Sequence, residues 1–199
     1  MKIKVQILLL GLLVLALICS PNKANSQELV YEGFMRGKKV GELVATREVN
    51  DENTRITLKT NIEAHMLVKI TVELHSESMY TNQSLVHASS ISKVHGNVKS
   101  DVQTVKKGDF YEVQVDGDVK TVNHTSLVGA DIFYFEEPKN INSVYALAMG
   151  EMLQVEKGEA NVYYFEHDGK KEYHKYIDGI LHEVEISHTL YTMTFKLKK

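Results

Sequence analysis

"NVYYFEHDGKKEYHKYIDGILHEVEIS", residues 161–187, decides the fold. Asp168-Gly169 and Asp178-Gly179 are both favoured two-residue hairpin turns, because the central positions of such turns need positive φ, which Asp and Gly tolerate. The first turn predicts Glu166 opposite Lys171 and Tyr164 opposite Tyr173. The second predicts Ile177 opposite Ile180, Lys175 opposite His182, and Tyr173 opposite Val184. This register puts Tyr164, Tyr173, Ile177, Ile180 and Val184 on one face. Glu172, His174, Glu183 and Glu185 fall on the other, with Tyr163 and Phe165 among them. Three antiparallel strands sharing an apolar face follow.

The same rhythm extends along the chain. Turn signals ("RGKK", "NDEN", "HGN", "KKGD", "DGD", "EKGE") recur at roughly 8–15 residues, and Pro21 and Pro138 are the only prolines. Ile56, Leu58, Thr60 and Ile62 alternate with Arg55, Thr57 and Lys59. Met66, Val68, Ile70, Val72 and Leu74 alternate with Lys69, Thr71 and Glu73. Tyr191, Met193, Phe195 and Leu197 alternate with Thr192, Thr194 and Lys196. Alternation with short connections is the mark of an antiparallel sheet with one wet face, and it leaves no room for βαβ crossovers. Two stretches break it. "TSLVGADIFYFEEP" (125–138) and "INSVYALAMGEML" (141–153) have candidate N-caps and non-alternating apolar residues, and they predict two short helical pieces around Pro138. The expected fold is all-β: a single strongly curved antiparallel sheet, an open half-barrel of about ten strands, with one or two short helices near 125–153.

The N-terminus reads as an export signal. Lys2 and Lys4 precede the apolar run Ile7–Ile18, which is short for a bilayer span, and Ala24-Asn25-Ser26 supplies small residues at −3 and −1. We therefore expect a signal peptide at 1–26, cleavage near Ser26/Gln27, and one β-rich domain at 27–199, periplasmic or secreted, without a transmembrane anchor. Ser20 to Ala24 are second choices for cleavage. Cys19 suggests a rival lipoprotein signal, but bulky Ile18 precedes it, so simple secretion is expected over lipidation. Cleavage at Gln27 would remove the only cysteine and three lysines, shifting the net charge from −3 to −6. An acidic chain of this kind is a poor partner for nucleic acid or anionic lipid surfaces.

Catalytic and metal chemistry find little support. Glu136 and Glu137 are adjacent, so in an extended segment their side chains diverge and cannot act together on one bond. Either could serve a hydrolase only with a distant partner. Nine histidines form no H-x-H, H-x3-H or H-E-x-x-H pattern. His182 and His188 would lie about 20 Å apart on a strand, too far to share a metal. There is no G-x-S-x-G, and Gly33-x3-Gly37-Lys38 is one residue short of a phosphate loop and lacks its Ser/Thr. We expect no catalytic residues, no metal and no cofactor. What remains is apolar surface: Phe133, Tyr134, Phe135, Tyr145 and Met149 are the candidate ligand-binding residues, a lid over a concave face that would take an apolar small molecule, a lipid or a lipidated envelope protein. The alternative is a structural or adaptor protein of the envelope with a filled core and no ligand.

Three motifs carry a resemblance. They are Tyr31 with Gly37-Lys38-Lys39-Val40-Gly41-Glu42-Leu43; Phe133-Tyr134-Phe135-Glu136-Glu137-Pro138 with Tyr145 and Gly150; and Tyr176-Ile177-Asp178-Gly179-Ile180-Leu181. In order and spacing the chain resembles an uncharacterised family of secreted, β-rich proteins exported to the periplasm of Gram-negative bacteria. The resemblance implies an architecture like the open half-barrels of lipoprotein carriers. It brings no catalytic residues, and it favours an apolar ligand or a lipidated partner on the concave face.

Overall fold

The computed structural model describes residues 25–65, 69–167, 170–188 and 191–199. The greater part of the expected export signal, with Cys19, lies outside them, as do Met66, Val68, Asp168 and Gly169. The first eight strands are β1 (Asn25–Met35), β2 (Lys38–Asn50), β3 (Asn53–His65), β4 (Lys69–Thr81), β5 (Ser84–Val94), β6 (Asn97–Lys107), β7 (Phe110–Val115) and β8 (Asp118–Val122). After a long connection come β9 (Ser143–Ala146), β10 (Glu151–Lys157), β11 (Val162–His167), β12 (Lys170–Ile177), β13 (Ile180–His188) and β14 (Tyr191–Leu197).

All fourteen form one antiparallel sheet, in the order β8-β7-β6-β5-β4-β3-β2-β1-β14-β13-β12-β11-β10-β9. The two chain halves are joined where β1 pairs β14, from Tyr31 opposite Leu197 to Met35 opposite Met193. The other seams are successive hairpins. Several of their turns place both central residues at positive φ, as at Arg36-Gly37, His95-Gly96, Asp116-Gly117 and Asp178-Gly179. Asn82-Gln83 does the same without a glycine. This is one reason the strands outnumber the ten expected: a turn of two polar residues carries little punctuation in the sequence.

The sheet curls until its ends meet through side chains. The β9–β10 turn brings Gly150 against Val102, Val113 and Val115 of β6 and β7, where a Cβ would lie 2.9 Å from Val113 Cγ1. Lys120 of β8 reaches Glu151 of β10 at 3.3 Å. The connection 123–142 is exposed at both ends and dips into the curl between Leu127 and Phe135 as a plug, and the buried apolar residues of strands and plug form one core.

Two expectations on local structure are corrected. The plug holds only a single 3₁₀ turn, Ala130–Tyr134, and the helix expected within 141–153 is the strand pair β9–β10. Val144, Tyr145 and Ala146 are buried in succession. A strand covered on both faces loses its alternation, so the pattern cannot be told from that of a buried helix.

The hairpin reading at 161–187 is right at the Asp178-Gly179 turn and wrong in most of its faces, while the Asp168-Gly169 turn lies outside the described residues. Tyr164 lies opposite Tyr173, and Glu166 opposite Lys171, as expected. Ile177 also meets Ile180, but a bulge between Lys175 and Tyr176 then shifts the ladder, so that Lys175 meets Glu183 and Tyr173 meets Glu185. The inner face is Tyr163, Phe165, His174, Tyr176, Leu181 and Val184. Tyr164 and Tyr173 pair edge-on outside it, their centroids 6.1 Å apart. Tyr164 with Tyr173 and Ile177 with Ile180 thus pair as expected but lie outside the core, and the bulge carries Val184 to the inner face opposite His174. The alternation of Ile56, Thr60 and Ile62 into the core is as expected.

Candidate functional site

The plug is held by hydroxyl groups. Tyr31 of β1 donates to the carbonyl of Leu181 at 2.9 Å and lies 3.4 Å from that of Tyr134. Tyr176 of β12 donates to the carbonyl of Phe133 at 2.9 Å. The Tyr111 hydroxyl of β7 accepts from the Leu127 amide at 3.1 Å and donates to Leu85 O at 2.8 Å. Tyr163 of β11 donates to Glu137 Oε1 at 2.8 Å. Tyr80 of β4 donates to Asp131 Oδ1 at 2.6 Å, and Ser78 donates to Asp131 Oδ2. Each tyrosine gives the core a large apolar body and satisfies a polar group of the irregular segment with its tip. Burial pushes the hydroxyls of Tyr31, Tyr80, Tyr134 and Tyr176 well above the usual phenol value, so they remain neutral. Burial and then Glu137 raise Tyr163 to about 12.

Among the described residues Asp131 is the most deeply buried carboxylate, 3% exposed. Desolvation raises its pKa, against the lowering effect of the Ser78, Tyr80 and backbone donors. The sequence reading passed over it. Its signal was a lone acid within the apolar stretch "GADIFYF".

Beside the plug, near the turn that joins β2 and β3, is a cleft of about 440 Å³. Its apolar lining is Val49, Ile56, Val128, Ile132, Phe133 and Ile141, and its polar lining includes Arg47, Gln83, Glu136, Glu137 and Lys139. Arg47 packs its guanidinium over the Phe135 ring at 4.9 Å. It donates to Gln27 Oε1 at 2.9 Å, and its Nη1 lies 3.9 Å from Glu136 Oε1. Arg47 was also missed. In "LVATREV" it takes the inward beat after Leu43 and Ala45, and a cation on a buried face is the signal that could have found it.

The expected site residues separate. Phe133, Phe135 and Tyr145 are buried core, Tyr134 is half-buried, and Met149 lies 40% exposed in the β9–β10 turn. Of these five, Phe133 alone lines the cleft. Tyr145 instead shares a 2.7 Å hydrogen bond with Thr104 and bridges Gly129. Glu136 and Glu137 diverge as expected. The Glu136 side chain is 58% exposed beside Arg47, whereas that of Glu137 is 8% exposed between Tyr163 and Lys139. Among the described residues, no group of three His, Cys, Asp or Glu could hold a metal ion, and no helix is long and apolar enough to cross a membrane.

These features define a class: an all-β, barrel-like protein whose curled sheet is filled by one of its own connections. The chain belongs to the family described as a domain of unknown function (DUF6134), which it matches over residues 31–198. The expected membership of an uncharacterised β-rich family therefore holds. No curated protein matches the chain. In fold it is similar to the β-barrel-like protein of domain of unknown function DUF1849 from Brucella abortus, a crystal structure matched with a TM-score of 0.62. The match has 9% identity and covers 88% of this chain and 96% of that one. At that identity the likeness speaks for the fold alone.

Proposed function

We propose that this protein is a non-enzymatic binding protein of the bacterial periplasm that holds an apolar, lipid-like ligand in the cleft beside its plug. The observation that carries the reading is the cleft of about 440 Å³ beside the core, floored by Ile56, Val128, Ile132 and Phe133. Ligand sites are concave, mostly apolar and of this order of size. An acyl chain, free or borne by a lipidated envelope protein, has the matching chemistry. The periplasmic part rests on Lys2, Lys4, the run Ile7–Ile18 and Ala24-Asn25-Ser26.

Native mass spectrometry of the gently purified protein, with titration of a fluorescent fatty acid, tests the ligand. The expected result is a bound lipid mass and enhanced fluorescence, both lost on filling the cleft with Ile132→Trp. An empty protein that gives no enhancement would sink it. That outcome would favour a second reading, a structural or adaptor domain of the envelope. The filled core, with the Tyr31, Tyr111 and Tyr176 hydroxyls spent on backbone groups, speaks for this alternative.

A further inference from the structure

We propose that the cleft selects amphiphiles with an anionic head, a carboxylate or a phosphate monoester, and that Arg47 is the residue that binds the head. This rests on the apolar-cleft reading above and adds the polar half of the ligand.

Arg47 is the cation at the cleft whose charge is least compensated. Its guanidinium has five N–H donors. The neutral amide of Gln27 takes one at 2.9 Å. Glu136 stands 3.9 Å off, beyond hydrogen-bond reach, on a side chain 58% exposed. The Arg47 side chain is only 27% exposed, and its guanidinium carbon lies over the Phe135 ring, 4.9 Å from the centroid. Such a partly desolvated, pre-oriented guanidinium is built for two parallel hydrogen bonds to a planar or tetrahedral oxyanion. The second cation, Lys139, is already engaged by Glu137 at 3.3 Å.

The apolar floor begins next to this fork, since Arg47, Ile132 and Phe133 line the same cleft. A ligand with its head on Arg47 therefore lays its chain on Ile132 and Phe133. Glu136 is the competitor the head must displace. Being solvated and held at long range, it gives way to a ligand oxyanion that can approach within hydrogen-bond distance. A cationic head would instead have Arg47 as its neighbour and be repelled.

The test is calorimetric titration, below the critical micelle concentration, with dodecanoate, dodecyl phosphate, dodecanol, dodecyltrimethylammonium and inorganic phosphate. The expected result is that both anionic amphiphiles bind at least tenfold tighter than dodecanol and the ammonium. Arg47→Gln should erase that preference, with thermal unfolding run alongside. Glu136→Gln, a solvent-exposed change, should tighten the anions severalfold and leave dodecanol unchanged. Equal binding of dodecanol and dodecanoate overturns the head-group assignment while leaving the apolar cleft standing. Tighter binding of the ammonium does the same. Inorganic phosphate binding as tightly as dodecyl phosphate overturns it in favour of a free anion, and no binding by any amphiphile overturns both readings.

Discussion

Asp131 lies 3% exposed with Ser78 and Tyr80 donating to its two oxygens, so the 3₁₀ turn of the plug is pinned to β4 through one side chain. Asp131→Ala leaves two buried hydroxyls without their acceptor, and a loss of roughly 2–4 kcal/mol is expected from urea unfolding. The pH dependence has a definite sign. The folded-state pKa is raised, chiefly by desolvation, so the native state binds more protons than the unfolded chain between the unfolded carboxylate value, about 3.9, and the raised one. Stability contributed through this group is full below that window and falls as pH rises through it. Asp131→Asn should flatten that portion of the stability profile. A variant whose urea midpoint keeps the wild-type slope across the window would disprove the assignment. Neither Asp131 nor Arg47 stood out in the sequence, because a single charge acquires its role from what surrounds it. Both were nonetheless marked by lying on beats that are otherwise apolar.

The plug depends on close approach as an element. Gly129 enters it in an extended conformation, and a Cβ there would run into Asp131 Oδ1 and Tyr80 Oη, with Leu147 Cδ1 at 2.7 Å. Gly129→Ala should therefore disturb the Asp131 pin and cost several times more than Gly96→Ala. At Gly96 there is open space and only the strain of φ +76° to bear, which costs about 1 kcal/mol. Equal melting temperatures for the two variants would contradict this packing. The apolar residues of the plug supply its hold: Leu127, Phe133 and Phe135 are buried, at roughly 1.5–3 kcal/mol each. Their spacing did not read as a strand in the sequence because the segment is irregular, with a single 3₁₀ turn whose buried residues answer to the surrounding strands rather than to a period of its own. The strands of half-buried hairpins, β3 above all, kept their period and could be read directly.

At the scale of the whole molecule, closure depends on β14 lying between β1 and β13. Truncation after residue 190 removes both ladders and the buried Phe195. The expected result is loss of the cooperative thermal transition, measured by near-ultraviolet circular dichroism, rather than a modest shift in midpoint. A shortened chain that still melted cooperatively near the full-length temperature would show that the two halves stand alone. The class of fold was legible because strand alternation and turn chemistry are local: two or three neighbouring residues set φ and decide which side chain faces inward. Family membership was legible for a related reason, since its motifs sit at turns and aromatic anchors. The faces of β11–β13 were not legible, because large apolar residues stand on both, Tyr164, Tyr173 and Ile177 on one and Tyr163, Phe165 and Tyr176 on the other, and the bulge between Lys175 and Tyr176 shifts the ladder without leaving a mark in hydrophobicity. Nor was the cleft, whose walls come from β2, β3 and the plug, with Arg47 and Ile141 94 positions apart in the chain. Contacts over such separations are set by how far a twisted sheet curls before its ends meet, a property of all fourteen strands together.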